Sequence, residues 1–155
     1  MVITFDGEYL KVTYEGEQIL NLMANCVVRN EVNGWRKFHE VVKTYPRRLP
    51  YMPRRIPSGV HKIISVEWTD DPEYAPVKIR TDVERKVFVW ELDRLGNYSR
   101  RTDQTTIDTG YLIHYTTSKT THGCIRANSE REVAKLATII ECRLRAKEDV
   151  FLEVI

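Results

Sequence analysis

The chain has 155 residues, with 24 Lys and Arg against 22 Asp and Glu, so its formal net charge is only +2. That length suits one domain, expected to span 1–155, which can bury a full core without a metal or disulfide staple. A hydrophobic share of 42% excludes general disorder, the near-balanced charge argues against a nucleic-acid binder, and no apolar run nears the ~20 residues of a membrane span.

The opening Met1–Glu8 has neither a basic segment nor a long apolar one, so no secretory signal is read there. The first 30 residues read as a β-meander: Val2–Phe5, the turn Asp6-Gly7, the alternating Tyr9–Tyr14, the turn Glu15-Gly16, and an apolar run from Ile19 to Val28. Residues 29–57 read as irregular, because Asn33-Gly34 marks a turn and the prolines at 46, 50, 53 and 57 oppose a helix. Arg47, Arg48, Arg54 and Arg55 in this stretch form either an electropositive rim for an anion or a solvated loop.

After Pro57-Ser58-Gly59 the alternation of Val60–Trp68 predicts a strand. Pro72 and Pro76 bound a loop, and two further strands are expected at Val77–Ile79 and Lys86–Leu92. The second carries bulk on both faces, which predicts a central strand buried on both sides. Leu95-Gly96-Asn97 makes a turn, and Gly110–His114 is a short apolar strand. One helix is well marked: Ser129 as N-cap with Glu132 three residues on, then Val133, Leu136, Ala137, Ile140 and Leu144 on one face. Arg143, Arg145 and Lys147 gather at its C-terminal end, where the helix dipole favours cations. Val150–Ile155 closes the chain as a strand. The reading is mainly β, a β-rich α+β fold with one helix over about 129–145 resting on a sheet.

Three cysteines are too few for a disulfide scaffold. Cys26 and Cys142 either pair in an oxidising compartment or are small buried thiols. The third, Cys124, sits in the most informative stretch, Gly110 to Arg126, where a strand delivers His114 and a polar loop leads to His122-Gly123-Cys124. A cysteine close to a helix start would have its thiolate stabilised by the dipole, and a nearby histidine can take the thiol proton. Gly123 allows a tight turn that would aim the Gly123 and Cys124 amides at an oxyanion. One Cys and two His within eleven residues also suit a metal. Zinc, however, would need a fourth ligand, and no Cys-x-x-Cys pair is present.

The run Thr121-His122-Gly123-Cys124-Ile125-Arg126, with His114 upstream at a strand end, resembles the active-site motif of the L,D-transpeptidases, the YkuD-like family. Pro57-Ser58-Gly59-Val60-His61-Lys62-Ile63 is similar to the Pro-x-Gly-x-Tyr-x-Ile segment of that family. The resemblance implies a β-sandwich or barrel, and the strand-turn punctuation with its one capped helix predicts that Cys124 is exposed in a cleft. The resemblance also implies Cys124 as nucleophile, and His114 as base with its ring oriented by a backbone carbonyl near Tyr115. His122 and Gly123 would shape the oxyanion turn, His122 being the rival base. Arg126 would take a substrate carboxylate, Thr121 would hold the loop beside the substrate, and Tyr115 would wall the site. No cofactor and no metal are implied.

The implied reaction is acyl transfer on peptidoglycan stem peptides: a tetrapeptide donor loses its terminal D-Ala, and an amine or water resolves the thioester. Only seven residues separate His114 from His122, which resembles a compact branch that includes type VI secretion effectors. That branch implies action in the periplasm or cell wall after delivery by a secretion apparatus, and an immunity protein as partner. Two other readings stand beside it. One is a catalytically silent peptidoglycan-binding or phage-structural module of the same fold. The other is an interaction protein that uses Arg47–Arg55 on an anionic partner.

Overall fold

The structure is a computed structural model and describes residues 1–28, 51, 54–94, 98–118, 121 and 123–155. Ten strands and a helix are defined there: β1 (Val2–Phe5), β2 (Tyr9–Tyr14), β3 (Glu17–Asn25), β4 (Gly59–Trp68), β5 (Val77–Thr81), β6 (Arg85–Leu92), β7 (Tyr98–Asp108), β8 (Leu112–Tyr115), β9 (Ile125–Ala127), α1 (Glu130–Arg145) and β10 (Phe151–Val154). Eight strands close a barrel in the order β1-β10-β4-β5-β8-β9-β3-β2, while β6 and β7 form a separate two-stranded ribbon. The mainly β reading with one marked helix holds.

The meander folds as its turns dictate. Asp6 Oδ1 accepts the Glu8 and Tyr9 amides, at 3.0 and 2.8 Å, and so reverses the chain. At the next turn Glu15 and Gly16 both have positive φ, 50° and 83°, the pattern of a two-residue turn whose twist matches the strands. Alternation then sends Ile3, Phe5, Leu10, Val12, Leu22 and Ala24 into the core, where Leu152 and Val154 of β10 join them. The C-terminal strand runs parallel to β1 and antiparallel to β4, so the two ends of the chain close the barrel together.

Helix α1 starts where its cap predicts: the Ser129 side chain accepts from the Glu132 amide, and Glu130 and Glu132 lie at the positive end of the dipole. Val133, Leu136, Ala137 and Ile140 are fully buried, and Leu144 lies against the same core. Arg143 and Arg145 stand in the last turn.

The expectation for residues 86–92 fails. Among the described residues β6 pairs only with β7, and Phe88 is 44% exposed. Among the ribbon's described side chains none joins the barrel's hydrophobic cluster, although Tyr98 is buried. Bulk on both faces signalled burial, but in this ribbon Trp90 lies edge-on to Tyr98 (6.0 Å) and Phe88 beneath the Arg101 guanidinium (4.5 Å). Both contacts lie within the ribbon itself, so bulk on two faces does not mark a central strand of the barrel here. The expected irregular stretch of 29–57 falls, up to residue 50 and at 52–53, outside the described residues, with Arg47 and Arg48.

Candidate active site

Strands β8 and β9 run parallel and in register, Ile113 opposite Ile125 and His114 opposite Arg126. Ile113 and Ile125 are fully buried in the core. Side chains alternate along a strand, so Leu112, His114, Cys124 and Arg126 belong to the other face. Continued one step back, the register places Leu112 beside Cys124, and the Leu112 N–H meets Cys124 Sγ at 3.4 Å. The His114 Cα thus lies two residues up the neighbouring strand from the Cys124 Cα, roughly 8 Å away by the usual strand rise and spacing, with both side chains on one face.

The turn before Cys124 is clamped on several sides. The Thr121 hydroxyl donates to the Cys124 carbonyl at 2.8 Å and accepts the Gly123 amide at 3.2 Å. The Thr121 amide bonds the Val27 carbonyl at 2.9 Å. The Gly123 carbonyl accepts both the Cys26 thiol and the Ile56 amide, each at 3.1 Å. Gly123 itself has φ 123°, and a Cβ there would lie 2.2 Å from the Arg54 carbonyl oxygen and 2.9 Å from the Tyr111 ring. Glycine is required twice over, for its backbone and for its lack of a side chain.

Two expectations about the turn change. Cys124 does not sit at a helix N-terminus, because β9 intervenes before α1 begins at Glu130. Burial instead pushes its thiol pKa up to about 12, against the Leu112 amide that lowers it, with Cys26, Asp108 and Glu73 also raising it. The half-buried thiol is neutral and lies 3.7 Å from the Gly110 carbonyl, to which it donates. The Gly123 amide, expected to face an oxyanion, is taken up by Thr121. That same pair of bonds consumes the Thr121 hydroxyl inside the turn, and the residue is buried.

His114 is buried, 5% exposed, and its Nδ1 lies 3.0 Å from the Tyr115 carbonyl. A carbonyl only accepts, so this bond places the proton on Nδ1 and leaves Nε2 as a free base. It is the ring-orienting partner the resemblance implied. Burial lowers the His114 pKa, the Tyr115 bond and Glu73 oppose this, and Arg126 adds to it, so the ring is neutral at neutral pH. Tyr74 tilts against the ring with centroids 5.3 Å apart. Arg126 donates from Nε to the Thr116 carbonyl (2.9 Å) and from Nη1 to Asn128 Oδ1 (2.8 Å), while Tyr115 leans its half-buried side chain on the core. His122 lies outside the described residues.

Several neighbours were not found from the sequence. Tyr74 and the Glu73 carboxylate come from the loop between β4 and β5, far from the motif. Asp108 is buried at the end of β7 and accepts the Tyr111 hydroxyl; Tyr51 also bonds it, and Tyr98 donates to the Tyr51 carbonyl at 2.7 Å. The Asp108…Tyr111 spacing was the only signal, and it is a weak one. No disulfide joins any of the three cysteines. Cys26 is buried as one expectation had it, but Cys142 is exposed. Among the described residues no three His, Cys, Asp or Glu side chains converge as metal ligands.

A family model, that of the YkuD L,D-transpeptidase catalytic domain, matches residues 32–146, most of the chain. No curated protein matches it. The chain belongs to the L,D-transpeptidase family, and its function is of that type, acyl transfer on peptidoglycan.

Proposed function

We propose that Cys124 is the nucleophile and His114 the general base of a thioester-forming acyl transfer on peptidoglycan stem peptides. One observation carries this reading: on adjacent strands in register, the Tyr115 carbonyl fixes the His114 proton on Nδ1 while the Leu112 amide holds the Cys124 sulfur. A neutral imidazole and a neutral thiol form a pair that stores no charge. The thiolate is generated as it attacks, not beforehand.

In the proposed sequence the S–H proton passes to His114 Nε2 as sulfur bonds the carbonyl carbon of the third stem residue, at its L-centre. Collapse of the tetrahedral adduct breaks the C–N bond to the terminal D-Ala, whose nitrogen takes the proton back from Nε2. An amine acceptor then gives a cross-link or an amino-acid exchange, and water gives carboxypeptidase activity. Arg126 has N–H donors beyond those used on Thr116 and Asn128, and these are assigned to a substrate carboxylate. Thr121 and Gly123 hold the turn. The Cys124 amide and His122 are assigned to the oxyanion.

Intact-protein mass spectrometry with a stem tetrapeptide tests this. An acyl adduct is expected on the parent and none on Cys124→Ala. His114→Gln should slow adduct formation by roughly 10²–10⁴-fold, the usual worth of a general base. The raised thiol pKa favours one second reading, a silent binding module, and a parent that binds the peptide without any adduct would establish it.

The seven-residue spacing between His114 and His122 supports a further part of the proposal. The enzyme is an antibacterial effector that a secretion apparatus delivers to the periplasm or cell wall, and an immunity protein restrains it. Toxicity when the chain is addressed to the periplasm of a Gram-negative host, and its absence in the cytoplasm, is the expected result. Harmless periplasmic expression of an active protein sinks it.

A further inference from the structure

The β6–β7 ribbon and the segment leading into β4 enclose a cleft of about 300 Å³, lined by Arg54, Arg85, Lys86, Phe88, Trp90 and Arg101 among others. No acidic side chain lines it among the described residues. None of its four cations has an ion-pair partner there either, although Arg100 on the same ribbon pairs with Glu91 at 2.8 Å. In a chain of almost balanced charge, four like charges around one concavity focus a positive potential that an anion would relieve.

Two of these cations are already held in place. Arg85 donates to the Arg55 carbonyl at 2.9 Å and lies 5.8 Å from the Tyr111 ring centroid. Arg101 stacks on Phe88 at 4.5 Å, and a stacked guanidinium keeps its edge donors free for a planar anion. The cleft also adjoins the candidate active site. The Arg54 backbone touches the Gly123 turn, and Tyr111, beneath Arg85, immediately precedes the Leu112 amide on Cys124. The volume is at the small end of ligand pockets, and Trp90 and Phe88 give it an apolar wall.

We propose that this cleft is a carboxylate-binding subsite for an acidic peptide segment, with carboxylates on Arg54, Arg85, Lys86 and Arg101 and methylenes against Phe88 and Trp90. Carboxylates are favoured over phosphates because the cleft borders a thiol assigned to peptide chemistry; to that extent the inference rests on the proposed function. Binding itself needs no turnover.

The test therefore uses the full chain carrying Cys124→Ala and a fluorescent stem tetrapeptide with free carboxylates, beside its amide-capped twin. The free acid is expected to bind about tenfold or more tightly than the twin, and to lose that advantage as salt rises. Arg101→Gln and Lys86→Gln should each weaken the free acid several-fold and leave the twin unaffected. Arg100→Gln should change neither. Equal affinity for both peptides, or variants that weaken both alike, would overturn the subsite. Tighter binding of tripolyphosphate with the same variant dependence would reassign it to phosphate. If the parent forms no acyl adduct but this binding pattern holds, the acyl-transfer reading fails and the subsite stands.

Discussion

At about pH 7.5, iodoacetamide is expected to alkylate Cys142 well before Cys124. Cys142 is exposed, whereas burial holds the Cys124 thiol at about 12. A free thiol with pKa ~8.5 is roughly 10% thiolate at that pH, and one near 12 is roughly 0.003% thiolate, a ratio of about 3 × 10³. The more basic thiolate is intrinsically more nucleophilic, by roughly 25–50-fold for this difference at the usual Brønsted slope. The net expectation is alkylation of Cys124 on the order of 10² times slower than that of free cysteine added to the same sample, rising with pH to well above 10. Peptide mapping by mass spectrometry over a pH series reads both cysteines in one sample, with the added free cysteine as the internal standard. His114→Gln should leave the Cys124 profile almost unchanged, because this reaction uses the pre-existing thiolate and not a proton transfer in the transition state. The reasoning is refuted if Cys124 reacts first near neutrality, or if its profile turns near pH 7. Either result would mean a stored thiolate, as a helix-dipole site would have.

Gly123→Ala places a Cβ against the Arg54 carbonyl and the Tyr111 ring at a φ that alanine resists, and it threatens the bond from the Ile56 amide. A cost of about 2–4 kcal/mol, hence a Tm lower by roughly 5–15 °C, is expected with loss of acylation; an unchanged Tm would show that the strap yields freely. Leu136→Ala empties a fully buried position of α1 and should cost about 2–5 kcal/mol in urea unfolding, while the activity per folded molecule survives. Tyr74 is raised to about 12, and Tyr51, Tyr98 and Tyr111 are raised further, chiefly by burial. The folded state therefore holds protons the unfolded chain has lost above pH ~10, so stability is full below that pH and falls as pH climbs beyond it; a flat urea midpoint between about pH 9 and 11 would contradict this.

Local chemistry wrote much of this molecule into its sequence. Asp6-Gly7 and Glu15-Gly16 fold as turns, and Ser129 caps the helix, because each depends on backbone and side-chain atoms a few residues apart. The candidate site was legible for the same reason, since Thr121, Gly123, Cys124 and Arg126 form one turn and one short strand. The polar β7 was missed because it carries no apolar alternation, and β9 because the alternation of Ile125-Arg126-Ala127 is too short to stand out. What covers a face is a different kind of fact. The pattern of residues 86–92 was equally compatible with a buried strand and with a ribbon that satisfies its aromatics through Arg101 and Tyr98. The charge state of the thiol was set in the same way, by its burial and by the Coulomb influence of Cys26, Asp108 and Glu73, all distant from it in the chain. Tertiary structure decided these points because burial and Coulomb terms act through space, and no sequence spacing near Cys124 records them.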